Sequence, residues 1–182
     1  MNLLFGMDDW YEWATAPLRQ AFLRPRVVLD ASPDHCPAMA ALHEAAFPNG
    51  WSPDDIERLL ANSNVIAQVI RPITWFGLTP EFGAVEGFIL VRHAAGEGEI
   101  LTFAVEPRAR GKGHGARLLD SALLKLRQNG VSSVFLEVAE TNEAAVKLYA
   151  RREFTVVGER PAYSSTSDGR KTRALVMRRE YG

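Results

Sequence analysis

Cysteine is nearly absent: Cys36 stands alone in 182 residues. An internal disulfide is excluded, which fits a reducing compartment. Cys36 precedes Pro37 and has no basic neighbour to lower its pKa, so it reads as structural and not as a nucleophile. No apolar run approaches the roughly 20 residues that cross a bilayer. An excess of one charge is also missing. The 21 Lys and Arg face 22 Asp and Glu, for a formal net charge of −1. Neither direct nucleic-acid binding nor attraction to a membrane surface is expected. His35 and His43 have no second ligand at metal-binding spacing, so no metal is expected. The first residues lack the basic start and small-residue cleavage site of a secretory leader, and a cytoplasmic location is expected.

What the chain does have is organised around Ile100–Ala116, ILTFAVEPRARGKGHGA. The run Ile100–Val105 reads as a buried strand, ended by Pro107. Arg110-Gly111-Lys112-Gly113-His114-Gly115 follows as a basic, glycine-rich turn. Leu119, Ala122, Leu123 and Leu126 then recur at i, i+3, i+4 and i+7, which predicts a helix with one apolar stripe. Strand, glycine turn and helix start form a device for holding phosphate. Missing side chains let main-chain N–H groups converge on an anion, and the helix N-terminus adds partial positive charge.

The remaining pattern fills in around it. Met1–Arg26 reads as an N-terminal extension, helical around Trp10, Trp13, Leu18, Phe22 and Leu23, and residues 27–182 as one domain. Val27–Leu29 is a first strand and Asp34–Phe47 a helix. Ser52 caps a second helix that has Pro53 in its first turn. Val65–Ile70, Val85–Val91 and Glu99–Val105 are strands with short connections, hence antiparallel neighbours. Arg71–Gly83 reads as a loop or hairpin connection. After the turn come the helix to Gln128, the strand Val134–Ala139, a helix from Thr141-Asn142 to Arg152, and the strand Phe154–Gly158. Pro161–Arg170 reads as a polar loop and Thr172–Arg179 as a last strand.

Gly111, Gly113 and Ala116 also fit a weak dinucleotide fingerprint, Gly-x-Gly-x-x-Ala. The order of elements argues against it. A doubly wound dinucleotide fold places its glycine turn after the first strand, whereas here about a hundred residues come first.

Two side chains stand out chemically. Glu137 is one carboxylate inside the apolar strand Val134–Val138, and needs a partner, a water or a raised pKa if buried. A salt bridge or edge position competes there with a general base. Tyr149 falls at i+4 from Ala145 on an inward face, where a packed aromatic competes with a catalytic acid. Asn142 stands where a helix cap is expected.

Arg110-x-x-Gly113-x-Gly115 resembles the acyl-CoA-binding motif of the GNAT acetyltransferase superfamily. Leu136-Glu137-Val138, Asn142, Leu148-Tyr149 and Phe154 are similar to its ribosomal-protein-alanine N-acetyltransferase (RimI) branch. Phe47-Pro48 with Trp51-Ser52, and Tyr163 with Asp168-Gly169-Arg170, extend the likeness from Val27 to the C-terminus. Glu153 stands where that branch has glycine, and Ala162 where it has the first tyrosine of a loop.

The resemblance implies an α/β fold with a central mixed sheet of about seven strands flanked by helices. It implies acetyl-CoA as co-substrate and a primary amine as acceptor, foremost the α-amine of a protein N-terminus such as a ribosomal protein's. Glu137 would take the amine's proton, directly or through water, and Tyr149 would protonate the departing sulfur. Main-chain groups on Phe103, Ala104 and Val105 would polarise the thioester. Arg110, Gly111, Lys112, Gly113, His114, Gly115 and Ala116 would hold the diphosphate, and Asn142 the pantetheine arm. A small-molecule amine, a lysine or a non-catalytic acyl-CoA-binding role are the other readings.

Overall fold

Gly87-Phe88-Ile89-Leu90-Val91 is buried along its whole length, because the strand it forms is covered on both faces. The computed structural model describes residues 25–76, 79–165 and 171–181. The expected N-terminal helix and Asp168-Gly169-Arg170 lie outside the described residues.

The elements run β1 (Arg26–Asp30), α1 (Cys36–Ala46), α2 (Pro53–Leu60), β2 (Val65–Phe76), β3 (Thr79–Phe82), β4 (Gly87–Ala94) and β5 (Glu97–Val105). They continue with α3 (His114–Gln128), β6 (Ser133–Ala139), α4 (Glu143–Ala150), β7 (Thr155–Ser165) and β8 (Lys171–Glu180). The sheet has eight strands in the order β1-β2-β4-β5-β6-β8-β7, with β3 paired to β2. The eighth strand comes from residues 71–83. There β2 continues to Phe76 and folds back as β3, pairing Ile73 with Phe82. Pro72 breaks no ladder, because its nitrogen faces the side of β2 where pairing passes from β4, ending at Ile70↔Gly87, to β3, beginning at Ile73↔Phe82. The segment 161–165, expected as loop, is the end of β7.

Strand alternation sends neighbours to opposite faces. Ile89, Val91 and Leu136 point into a cluster under α3 and α4 with Leu118, Leu119, Ala122, Leu126, Tyr149 and Phe154. Phe88, Leu90 and Ala104 point into a second cluster with Met39, Ala40 and Ile56 from α1 and α2. Ser52 caps α2 as its spacing predicts, accepting from the Asp55 amide at 3.2 Å while the Asp55 carboxylate accepts from the Ser52 amide at 3.0 Å.

One irregularity positions the site. The β4–β5 register shifts between Leu90 and Val91, so that Leu101 is an extra residue on β5. Such a bulge bends its strand. Beyond it β5 leaves β6. The two pair in parallel only from Glu97↔Ser133 to Glu99↔Phe135. From there β5 stays with β4 as far as Val105, and β6 stays with β8 as far as Ala139. The sheet therefore opens into a V between Leu101–Val105 and Leu136–Ala139.

Candidate active site

The mouth of the V is the glycine turn. Gly111 and Gly113 sit at φ 73° and 80°, the left-handed region that favours glycine. A Cβ at either would meet nothing within 4 Å, so both face open space. Gly113 is the N-cap of α3. The first amide in this stretch to find an acceptor is Arg117, which donates to Gly113 O at 3.1 Å. Among the described residues the amides of Gly111 to Ala116 have no acceptor. Unpartnered amides at the start of a 15-residue helix suit an anion. Gly115 serves a different purpose, close approach: a Cβ there would come within 3.3 Å of the Phe103 ring and 3.5 Å of Leu148. The helix start thus lies directly against β5 and α4.

The side chains of the turn behave unequally. Arg110 folds back and donates Nε to Val105 O at 3.0 Å, closing the end of β5. Lys112 is exposed beside the open amides. His114, expected among the phosphate-holding groups, turns its ring inward and is 5% exposed. Position one of α3 points its side chain back over the sheet, so only the His114 amide faces the mouth.

Tyr149 lies at the inner end of the gap, 5% exposed. Its ring centroid is 6.4 Å from Phe103 on β5 and 5.7 Å from Phe154, the latter edge-on. Burial pushes its phenol well above the usual range, so it keeps its proton at any working pH. Asn142 caps α4, its side-chain oxygen accepting from the Ala145 amide at 3.2 Å. Its NH₂ group has no partner among the described residues.

Glu137 has the salt bridge that stood beside a general base among its expected readings. Leu136 and Val138 point into the core, so alternation turns Glu137 to the α1–α2 face. There it pairs with Arg160 of β7, Nε to Oε1 at 2.5 Å. The α1–α2 connection closes over the same side of the sheet. Trp51 stacks on His43 at 4.6 Å and 16°, and its amide donates to His43 Nδ1 at 3.1 Å. His43 in turn packs on Phe47 and Phe88. The Nδ1 atom accepts, so the neutral ring carries its proton on Nε2. Burial lowers the pKa of this ring. Sequence reading missed Arg160 and the role of His43. The spacing of His43, Phe47 and Trp51 was the available signal for the second. Among the described residues no cluster of metal-ligating side chains is present.

A splayed pair of parallel strands, open amides at a helix start and a protonated phenol thus lie around one gap in the sheet. Residues 36–154 match the Acetyltransferase (GNAT) family. The chain belongs to the GNAT acetyltransferase family. Among curated GNAT relatives, a mycothiol acetyltransferase of Propionibacterium freudenreichii is 34% identical over 141 residues, 75% of this chain and 45% of that protein. The ribosomal protein bS18-alanine N-acetyltransferase of Escherichia coli is 32% identical over 95 residues, 52% of this chain and 64% of that protein. The chain thus spans about half to two thirds of the length of the curated relatives it matches. The crystal structure of the Escherichia coli ribosomal-protein-S18-alanine N-acetyltransferase superposes with TM-score 0.73 at 22% identity, covering 86% of this chain and 94% of that one. Ard1 of Thermoplasma volcanium superposes with TM-score 0.71 at 25% identity, covering 86% and 98%. No helix among the described residues is long and apolar enough to cross a membrane.

Proposed function

We propose that this GNAT chain transfers an acetyl group from acetyl-CoA to the α-amine of a protein N-terminus. The observation that carries the reading is the parting of β5 from β6 beyond Glu99 and Phe135, with the open amides of Gly111–Ala116 at its mouth. A diphosphate fits those amides, because Gly111 and Gly113 leave the approach clear. The acyl arm fits the gap, because β5 has no strand partner there on its β6 side. The names of the bS18-alanine relatives support an N-terminal acceptor.

Acetyl-CoA supplies the activated acyl group as a thioester. The residues of the chain do the rest. Glu137, on the α1–α2 face, receives the proton of the incoming ammonium, directly or through water. A free α-amine has a pKa of about 7.7–8.0, so a carboxylate relayed by water suffices. An amide on Phe103–Val105 donates to the carbonyl oxygen as charge develops there. Tyr149 keeps its phenol protonated, gives that proton to the sulfur as the carbon–sulfur bond breaks, and regains one from the nitrogen as the amide forms. Buried Cys36, with its thiol pKa pushed up by burial, forms no acyl intermediate in this scheme. Holding donor and acceptor together supplies much of the rate.

Similarity to a mycothiol acetyltransferase over 75% of this chain favours a second reading, a small-molecule amine as acceptor. Mass spectrometry separates the two. Peptides beginning with alanine, and small amines, are incubated with the protein and acetyl-CoA. A 42-dalton gain, about one acetyl group, on the peptide α-amine supports the first reading. A gain confined to small amines overturns it in favour of the second.

A further inference from the structure

Glu86 ends the loop before β4 and gathers three elements. Its carboxylate accepts from Arg26 twice, Nε to Oε2 at 3.0 Å and Nη2 to Oε1 at 3.0 Å. Oε2 also lies 3.5 Å from Nε2 of His114, the first residue of α3. That distance is electrostatic contact without hydrogen-bond geometry, and neither ring nitrogen of His114 has a hydrogen-bond partner. The main chain joins in. The Glu106 amide donates to Glu86 O at 2.9 Å. Arg117, in the first turn of α3, donates Nη2 to Arg26 O at 2.5 Å. The carboxyl of Glu86 is held below the usual carboxylate range, first by the hydrogen bond from Arg26. The charged groups facing His114 are Glu86, Arg26, Arg117 and Lys112, and burial outweighs Glu86 in lowering its pKa.

The open amides bind an anion only if the first turn of α3 is held at a fixed angle to the end of β5. Gly111 and Gly113 give the turn no side-chain packing of its own. Its angle is set by what lies behind it: Gly115 rests against Phe103 and Leu148, and the polar contact there is that of Glu86 with His114. We infer that Glu86 is a positioning residue for the diphosphate turn, acting through His114 and Arg26. The ionised carboxylate neutralises Arg26, takes the polar edge of a buried imidazole, and so locks β1, the loop before β4 and α3 into one body. The inference rests on the reading of the turn as the acyl-CoA site.

The test is a double-mutant cycle on coenzyme A binding by calorimetry, with steady-state kinetics beside it. Glu86→Gln weakens coenzyme A about tenfold and raises KM for acetyl-CoA in step, with kcat within about twofold. His114→Asn weakens binding similarly, and the double variant is no worse than Glu86→Gln alone, because the two act as one unit. Additive losses, an unchanged affinity in Glu86→Gln, or a parallel collapse of kcat each overturn the inference. Should Glu86→Gln fail to fold, Arg26→Lys removes the two-pronged contact and keeps the charge. It then shows a several-fold loss of affinity, and an unchanged affinity overturns the inference. Wild-type protein is measured first. A wild type that does not bind coenzyme A fails the reading of the turn itself, whereas a wild type that binds beside an equally good Glu86→Gln fails only the role of Glu86.

Discussion

Phe103 and Tyr149 hold their rings 6.4 Å apart, one on the strand that parts from β6 and the other on the helix beyond the gap. This pair ties β5 to α4 at the inner end of the V, where β5 and β6 no longer share a ladder. It makes Tyr149 a packing residue, and the acid role proposed for its hydroxyl separates from packing by mutation. Tyr149→Phe keeps both ring contacts and removes only the hydroxyl. The expected outcome is a kcat lower by about 10²-fold or more with nearly unchanged coenzyme A affinity and unfolding midpoint. An unaltered kcat leaves Tyr149 with packing alone.

The parts legible in the sequence were those with a local cause. Glycines at 111 and 113, the leucine stripe of α3 and the Ser52 cap each have a local spacing, and the structure has them where that spacing puts them. The antiparallel pairing of β4 with β5 followed from their short connection. What escaped was set by distant partners. For Glu137 a salt bridge was one of the expected readings but its partner was not legible: the pleat turns it to the α1–α2 face and onto Arg160, 23 positions away. Glu86 and His114 meet only because β4 and α3 are stacked. The bulge at Leu101 leaves no mark in composition.

Glu153 is a departure whose cause is now conformational. It occupies φ 65°, and the amide of Phe154 reaches back to Tyr149 O at 3.2 Å, the closure that ends α4. Glycine adopts this geometry without the penalty of about 1 kcal/mol that a Cβ carries there. The exposed ion pair from Arg179 to Glu153, at 3.0 Å, offsets little of that. Glu153→Gly is therefore expected to raise stability by up to about 1 kcal/mol, read as a higher urea midpoint at constant slope. A fall in the midpoint would mean that the ion pair outweighs the backbone strain.

Glu137 tests the proton path. Glu137→Gln preserves shape and hydrogen bonding toward Arg160 but cannot take a proton. The expected result is a fall in kcat/KM for the amine and a flatter acidic limb of the pH–rate profile, with coenzyme A affinity kept. If Glu137→Gln retains the wild-type limb, the base lies elsewhere on the α1–α2 face.

The pH dependence of folding follows from three histidines. His35, His43 and His114 all have pKa values below the ordinary one, with burial the leading cause in each. A lowered value favours the neutral ring in the folded state. Each therefore contributes stability that is complete above the unfolded value, about 6.5, and is lost as pH falls from there through the folded value. The unfolded chain binds up to three more protons in that window, each worth at most about 1.4 kcal/mol per pH unit. Glu86 and Asp55, both lowered by hydrogen bonds, add losses only at lower pH, below the unfolded carboxylate value of about 4.3. Urea midpoints are thus expected to be flat from about pH 8 to 7 and to decline below about 6.5, well before the carboxylates titrate. His43 assigns part of the slope. Asparagine at 43 can offer an oxygen to the Trp51 amide, as Nδ1 does at 3.1 Å, but carries no titratable ring. His43→Asn is expected to lower stability at pH 7, through the lost stack on Trp51, and to decline less steeply between pH 6.5 and 5. An equal slope in the variant would move that proton to His35 or His114, and a wild-type midpoint that rises on acidification would reverse the sign of the whole assignment.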